Sequence, residues 1–436
     1  MSRSSRAHSG RETVMTSRGV GVGASGLVMT VLGIGLASPI LVWVGIAMVV
    51  SVTTAALWLV TSVMVFTRRF PDTSRVVIPN PLSAGGIGEV AVSIRTAAKR
   101  PRLRLDRALA SQLDIREQAA AELTNGLPAK ATVTRSARGL QLDYHLSPTQ
   151  RGRWELGPAL VKVTEPLGMM WASIPSGEAQ SVPVWPLVVD LTAATGALMG
   201  QADRVAMGAR TPSADDSSLR EYRDGDDLRR VHWKSTARRG SMVVRADERE
   251  GVRPATVLLD LPVNSVAAEW AISACASIGA SILATGHPVR LVGAGIGAGE
   301  ASRMSAGLDT AKAPDNGGGS RTHLLNTTLD LALPLSRESS LERTQAAIDA
   351  LALHISVGEV IVAVLDPLTS HAMASLVPFG DSGRAWAVVR TGDGPRHDER
   401  ADHTATALRR AGWTVATAST RDDLTAVWSD LVAGGN

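Results

Sequence analysis

Paired guanidinium and carboxylate groups are the chemistry that this sequence offers most clearly. They crowd into residues 219–240, where arginines and acidic residues alternate within a few positions of one another. We expect Arg229 and Arg238 to pair with carboxylates such as Glu221 or Asp226, because a planar guanidinium meets a carboxylate through two parallel hydrogen bonds. The run therefore predicts a closely held ionic network.

Apolar residues inside this run argue against a plain solvated surface. Tyr222, Val231 and Trp233 need burial, so the network is expected to lie over aromatic anchors. Histidine is the residue type whose ordinary pKa lies near neutrality, yet no serine or cysteine nucleophile with an orienting acid is indicated beside His232, and we expect a structural histidine. We predict that no residue of the chain is catalytic and that the protein is not an enzyme.

A second candidate is a glycine-rich loop at residues 289–298. Gly293, Gly295 and Ala298 follow an apolar strand and satisfy the Gly-x-Gly-x-x-Ala pattern of dinucleotide sites. The stretch that follows lacks helical periodicity, and no acidic residue closes a second strand. We expect a flexible loop, with a metal- or nucleotide-dependent enzyme at the membrane as the alternative function.

Nucleic-acid binding is the third class considered. Residues 220–250 contain nine basic and seven acidic side chains, so their attraction for phosphate largely cancels within a Debye length. We predict no nucleic-acid partner.

The charged run resembles the signature of a bacterial family called domain of unknown function 58. Residues 151–158, Arg-Gly-Arg-Trp-Glu-Leu-Gly-Pro, and residues 165–168, Glu-Pro-Leu-Gly, resemble two further stretches of that family, which also usually carries an N-terminal transmembrane hairpin. The signature positions, which we take as the candidate interaction residues, are Arg220, Glu221, Tyr222, Gly225, Asp226, Arg229, Arg230, Trp233, Lys234, Ala237 and Arg238.

The resemblance also implies a von Willebrand factor A-like C-terminal domain, in which an Asp-x-Ser-x-Ser loop can hold a metal ion. Here the loop starts at Asp260, with Pro262 and Asn264 at the two serine positions. Ser265 and the distant Asp366 are the remaining candidate ligands. Proline offers no ligand atom, so we predict a degenerate loop without metal or other cofactor, with magnesium as the alternative.

The partners implied by the resemblance are a MoxR-type AAA+ ATPase and, in some cases, a transglutaminase-like membrane protein. The expected function is that of a membrane-anchored, cytoplasmic-facing interaction or scaffold protein that acts in the assembly or maturation of a client complex. We expect the signature and the carboxyl ends of the α/β strands to form the docking surface, since ligands of open parallel sheets gather there.

These residues must be positioned by an α+β multidomain fold with three parts, which are a transmembrane hairpin, a β-sandwich and an α/β domain, with the signature segment between the last two. Short strands separated by turn residues predict an antiparallel β-sandwich over 76–190, although 103–122 fits strand or helix equally. The signature segment is placed at 215–250. Strands alternating with helices then predict an α/β, Rossmann-type domain over 251–436, and Cys275 is expected to be a buried thiol within one of its helices.

The first part is a membrane hairpin. No charged residue or histidine occurs in the 49 residues between Arg18 and Arg68, and Ser38-Pro39 interrupts the run near its middle. A bilayer core needs about 20 apolar residues per crossing. We therefore predict two transmembrane helices over 19–67, preceded by a disordered basic tail over 1–18. Arginines flank the run on both sides, which places both termini in the cytoplasm beside anionic lipid.

Overall fold

A computed structural model provides the structure of the protein. It describes residues 12–69, 72–95, 113–127, 131–136, 139–209, 219–221, 236–237, 243–245, 254–293, 318–355, 358–382 and 384–434. The chain divides into two compact units, Met1–Trp185 and Pro186–Asn436.

The first unit opens with a strand and two apolar helices. These are β1 (Glu12–Met15), α1 (Ser17–Gly35) and α2 (Pro39–Arg69). The helices pack closely because glycines face the partner helix: a Cβ built on Gly26 would lie 2.9 Å from the Cβ of Met48, and one on Gly33 would lie 2.7 Å from the backbone nitrogen of Val42. Small residues at such contacts are typical of membrane helix pairs.

Both N-terminal helices are long and apolar enough to cross a membrane. Their bounds differ slightly from the predicted 19–67, since α1 begins at Ser17 and α2 ends at Arg69. The 31 residues of α2 span about 46 Å, more than a hydrocarbon core of about 30 Å. Leu59 and Phe66 in its last part are buried in the core of the β-structure instead.

The rest of the first unit consists of two sheets that are mostly antiparallel. Its strands and one short helix are β2 (Asp72–Ile78), β3 (Leu82–Ser83), β4 (Gly88–Arg95), β5 (Leu113–Ala119), α3 (Ala121–Thr124), β6 (Thr132–Ser136), β7 (Gly139–Leu146), β8 (Gly152–Thr164), β9 (Met170–Ser176) and β10 (Gln180–Trp185). Among the described residues, one sheet has the order β1-β9-β8-β10-β3, with β5 also paired to β8, and the other has the order β2-β4-β7-β6. Alternate side chains of each sheet point into one shared core.

The sequence placed the limits of this unit differently in three places. Residues 12–15, expected within a disordered tail, form β1, because their backbone pairs with β9. The undecided stretch 103–122 contains β5 and the start of α3, and its residues 103–112 lie outside the described part. The sandwich begins at Asp72 rather than 76, because β2 pairs with β4 along its full length.

The second unit is an α/β fold. Its elements are α4 (Thr192–Ala209), β11 (Leu219–Glu221), β12 (Val243–Arg245), β13 (Ala255–Leu259), α5 (Ser265–Ala284), β14 (Val289–Gly293), α6 (Gly318–Leu329), α7 (Arg337–His354), β15 (Val360–Leu365), α8 (Ser370–Leu376), a 3-10 helix (Val377–Ser382), β16 (Ala385–Thr391), α9 (Pro395–Arg410), β17 (Thr414–Ser419) and α10 (Leu424–Ala433). Its main sheet is parallel, in the order β14-β13-β15-β16-β17. This is the doubly wound order 2-1-3-4-5.

Both faces of the parallel sheet are covered by helices. Every residue of β13 and β15 is buried, which is why these strands read as unbroken apolar runs. Residues of α4, α5, α6 and α10 form the core on one face, and residues of α7, α8 and α9 form the core on the other. The buried position predicted for Cys275 is confirmed, and burial raises the pKa of its thiol.

Residues 186–190, predicted to end the sandwich, belong to the second unit. The backbone N–H of Val189 donates to Ser277 Oγ at 3.0 Å, and that of Leu191 donates to Ser281 Oγ at 3.1 Å. The helix that follows, α4, was not predicted either. It is joined to the core by Trp428, whose indole N–H donates to Thr195 Oγ1 at 3.0 Å. The second unit therefore begins at Pro186, 65 residues before its predicted start at residue 251.

Candidate functional site at the carboxyl edge of the parallel sheet

Asp260 is the first polar residue beyond the buried strand β13. Only 6 % of its surface is exposed. The hydroxyl of Thr344, on α7, donates to one carboxylate oxygen, and the backbone N–H of Asp366 donates to the other at 3.0 Å. Because β13 and β15 are parallel neighbours, both aspartates emerge at the same edge of the sheet, next to the point where the strand order reverses.

Arg390 neutralises this edge from the next strand, β16. Its guanidinium pairs with Asp366 Oδ1, with Nε at 2.8 Å, and with Asp393 Oδ2 at 2.9 Å. His397 Nε2 lies 3.2 Å from the same Asp366 oxygen and 2.9 Å from the guanidinium. The Arg390 side chain is 3 % exposed, whereas those of Asp366 and Asp393 are 25 % and 33 % exposed, so the guanidinium is buried and its carboxylate partners are partly solvated.

The charged groups in this network shift one another's pKa values. Burial raises the pKa of Asp260 to about 7, with the neighbouring Asp366 carboxylate acting in the same direction and the Thr344 hydroxyl opposing it. The hydrogen bond from Arg390 lowers the pKa of Asp393. Burial opposes the charge of Arg390, but its bonds to Asp393 and Asp366 raise its pKa. The network therefore disfavours the charged form of Asp260 and favours the charged form of Arg390.

Of the four degenerate metal positions, the structure brings two together. Asp260 and Asp366 share a hydrogen bond, whereas Asn264 is the N-cap of α5 and accepts from the backbone N–H of Val266 at 3.0 Å. Ser265 is the first residue of that helix and is exposed. Within the described residues, no three histidine, cysteine or acidic side chains are grouped to hold a metal ion.

Four members of the network were missed by sequence reasoning: Thr344, Arg390, Asp393 and His397. Thr344 lies in the middle of α7 and carries no local signal. Arg390 does carry one, because it is a charged residue in β16, a strand whose residues 385–390 are all buried. A buried arginine requires a carboxylate partner, and Asp366 closes the neighbouring strand.

Part of the sequence that forms this edge matches a known protein family. Residues 218–377 match the family described as "Protein of unknown function DUF58". Over this stretch the chain is similar to that family. The stretch includes Asp260, Thr344 and Asp366, whereas Arg390 and His397 lie beyond it. No curated protein matches the chain.

Only a small part of the DUF58 signature falls among the described residues. Arg220 and Glu221 lie in β11, which pairs antiparallel with β12, so that Arg220 is opposite Val244 and Glu221 is opposite Val243. Ala237 is exposed in a short helical turn. The other signature residues lie outside the described part: Tyr222, Gly225, Asp226, Arg229, Arg230, Trp233, Lys234 and Arg238.

Apolar side chains are exposed beside the charged network. Val263 and Val266, on the loop and first turn after β13, are 42 % and 67 % exposed, and Leu341, on the first turns of α7, is 38 % exposed. The two segments are neighbours, because Ser340 Oγ donates to the backbone oxygen of Leu261 at 2.7 Å. We call Val263, Val266 and Leu341 the edge patch.

The two other stretches that resemble the family have structural roles in the sandwich. A Cβ on Gly157, which has φ +95°, would overlap the guanidinium of Arg75, and the absence of one lets that arginine reach the buried Glu117. Burial raises the pKa of Glu117, and Arg75 opposes this shift. Arg75 also lines an open cavity of about 600 Å³ together with Arg95 and Glu178. Glu165 organises the turn between β8 and β9.

Proposed function

We propose that this protein is a membrane-anchored interaction protein whose α/β unit docks a partner protein at the carboxyl edge of its sheet. The observation that carries the proposal is the composition of that edge. The buried carboxylate of Asp260 is bonded to Thr344 and to a backbone N–H, and the partly exposed carboxylate of Asp366 is paired with Arg390, while apolar side chains remain exposed next to them. Exposed apolar groups at such an edge are typical of a protein-binding surface.

The anchor is supplied by α1 and α2. We place them across the bilayer with both termini in the cytoplasm, since arginines flank the apolar run at each end. The α/β unit is then a von Willebrand factor A-like domain. Asp260 and Asp366 at the ends of adjacent strands, with Thr344 beside them, support this assignment, and the guanidinium of Arg390 supplies the positive charge at Asp366.

The partner that the DUF58 resemblance implies is a MoxR-type AAA+ ATPase, with a transglutaminase-like membrane protein as a further member of the assembly. The edge patch supports a protein partner rather than a small substrate, because its three apolar side chains are exposed on two neighbouring segments. The family match supports the resemblance on which the choice of partner rests.

The test is retention of a purified MoxR-type ATPase from the same genome on the full-length protein in detergent. We expect the double change Val263→Glu with Val266→Glu to abolish retention. Both side chains are exposed, and acidic residues suit the first turn of α5, so the fold is expected to persist.

Leu353→Glu is the matched control. Leu353 is 80 % exposed on the last turn of α7, at the opposite edge of the sheet, and this change should leave retention intact. Near-ultraviolet circular dichroism checks the fold of each variant. If the valine variant holds as much ATPase as the wild-type protein, the edge is not the docking surface; if the wild-type protein holds none, the proposed partner is wrong.

A further inference from the structure

The turn between β8 and β9 is held rigid by a buried carboxylate. Glu165 is 2 % exposed, and its side chain accepts hydrogen bonds from the backbone N–H groups of Leu167, Met169 and Met170, the last at 3.2 Å. The tip of the turn, by contrast, is uncovered: Leu167 is 55 % exposed. The chain thus fixes an apolar side chain on a rigid tip, where a mobile polar loop is usual.

This turn is attached to the first residues of α1. The backbone N–H of Thr16 donates to the carbonyl oxygen of Met169 at 2.8 Å, and Thr16 Oγ1 lies 2.8 Å from the carbonyl oxygen of Gly168. The same hydroxyl oxygen accepts from Gly19 N and caps α1. These bonds therefore hold the turn beside the first residue of α1.

The groups around the turn have the composition of a membrane interface. Arg18 is exposed beside it, with its Nη1 3.9 Å from the position that a Cβ on Gly168 would take. Lys162 lies over the ring of Trp171, 4.6 Å from the ring centroid. Tryptophan together with lysine and arginine is enriched where protein meets lipid headgroups.

We infer that the turn at 165–169 inserts Leu167 into the interfacial layer of the bilayer, as a contact of the sandwich with lipid in addition to the two helices. The inference rests on the proposed membrane anchoring of α1. The lipid surface is the occupant because the turn is continuous with α1: Val20, one turn beyond Thr16, is already an exposed apolar residue on the lipid-facing helix.

Under this inference, Glu165 and Thr16 both hold the turn in position at the membrane. One carboxylate holds the turn, and one hydroxyl joins the turn to the helix that enters the membrane. Together with the packing of Leu59 and Phe66 of α2 into the sandwich core, they fix the orientation of the sandwich against the bilayer.

Depth measurements on labelled protein in lipid vesicles test the inference. A fluorophore that senses polarity is attached to single cysteines in the full chain, and Cys275 stays unlabelled because it is buried. The positions are Leu167→Cys, Leu27→Cys as a reporter of the lipid-facing surface of α1, and Ile87→Cys as the control. Leu27 and Ile87 are 63 % and 70 % exposed, which makes all three accessible.

Ile87 is the matched control because it lies far from the turn. Gly85 N–H donates to the carbonyl oxygen of Pro148 at 2.8 Å, near the start of β8, whereas the turn follows the end of that strand. The 13 residues of β8 separate the two sites by roughly 40 Å. We expect lipids carrying a quencher in the headgroup region to remove most of the emission from position 167 and little from position 87.

The outcomes separate the two claims. If positions 27 and 167 are both quenched by lipid-borne quenchers at their respective depths, the inference stands. If position 27 is quenched while position 167 behaves like position 87, the turn is not at the interface and the inference fails alone. If position 27 is not quenched, the membrane anchoring itself is wrong. Leu167→Glu tests the same point without a label at position 167, since it should shift the emission of a fluorophore attached at position 15 to longer wavelength in vesicles but not in detergent.

Discussion

Helices α2 and α5 both have high hydropathy, but their surroundings are opposite. Both pass the length and hydropathy criteria for a membrane span, with mean hydropathies of 2.3 and 1.5, yet 11 % of the α2 span and 72 % of the α5 span is buried within the protein. Hydropathy shows that a helix needs a non-aqueous neighbour. Whether that neighbour is lipid or protein is decided by the strands on either side of it.

The residues themselves contain part of this distinction. α2 is rich in valine and carries no charge before Arg68, whereas α5 is rich in alanine and serine and contains Glu269. Its serines are used inside the protein, because Ser277 and Ser281 accept hydrogen bonds from the segment that precedes α4. Small side chains let α5 lie close to the sheet, and the hydroxyls satisfy backbone groups that lipid would leave unpaired.

The largest expected effect comes from placing an aspartate in each kind of helix. Ile278 in α5 is fully buried, so Ile278→Asp places a carboxylate in an apolar core and is expected to cost at least about 4 kcal/mol, enough to unfold the second unit. Leu27→Asp in α1 should leave that unit folded and instead reduce membrane insertion by about 3 kcal/mol. Hydrogen exchange of the second unit and the membrane-bound fraction are the two measurements.

Ile278→Val and Leu27→Ile serve as conservative controls for the two sites. The comparison between the helices fails if Leu27→Asp protein is recovered in membranes like the wild type, because α1 would then not face lipid at that position. It also fails if Ile278→Asp leaves exchange in β13 and β15 unchanged.

A smaller effect is expected at the glycines between α1 and α2. A Cβ on Gly45 would lie 2.6 Å from the carbonyl oxygen of Gly26, whereas one on Gly35 meets nothing within 4 Å. Gly45→Leu should therefore separate the helices and cost about 1–3 kcal/mol, and Gly35→Leu should be tolerated. Titration of each protein with a denaturing detergent, followed by circular dichroism, measures the difference. Equal midpoints for the two variants would show that the glycine contact does not hold the hairpin together.

Much of the fold could be predicted because local patterns and packing agree. The apolar strands β13, β15 and β16 are buried on both faces and read as such, and the charge-free run indicated two helices. The mixed α/β class and two adjacent N-terminal helices apolar enough for a membrane are confirmed, and the DUF58 resemblance is supported by the match over 218–377. The scaffold function, the partners and the absence of catalysis stay predictions.

The features that escaped prediction depend on distant residues. β1 becomes a strand only because β9 offers it a free edge, and residues 186–191 join the second unit through bonds from Val189 and Leu191 to two serines 88 and 90 positions away. At the candidate site, Asp260 and Asp366 could be named from their places after strands. Thr344, Arg390 and His397 could not be joined to them, because only the parallel order of the sheet brings these residues together.

The smallest expected effect concerns the pH dependence of the stability of the second unit. It tests the burial of a carboxylate, Asp260, rather than the burial of apolar side chains. The pKa of Asp260 is raised to about 7 from an ordinary value near 3.8. A folded-state pKa above the unfolded value means that the folded protein binds the extra proton, so the stability present below the ordinary pKa is lost as the pH rises through 7. Asp260→Asn should remove this loss.

Asparagine suits the site because it reproduces the protonated acid. Its amide oxygen can accept from Asp366 N–H, and its NH₂ group can donate to Thr344 Oγ1, which in turn donates to the carbonyl oxygen of Ser340 at 3.0 Å. We expect the stability advantage of Asp260→Asn over the wild type to grow by about 2 to 3 kcal/mol between pH 5 and pH 8, because the unfolded aspartate is already ionised at pH 5 while the folded one loses its proton only near pH 7. Hydrogen exchange of β13 and β15 in the full-length protein, measured at both pH values and corrected for intrinsic exchange, gives the comparison. A constant difference between variant and wild type from pH 5 to pH 8 would mean that Asp260 does not titrate in this range, and that Arg390 already holds it in its charged form.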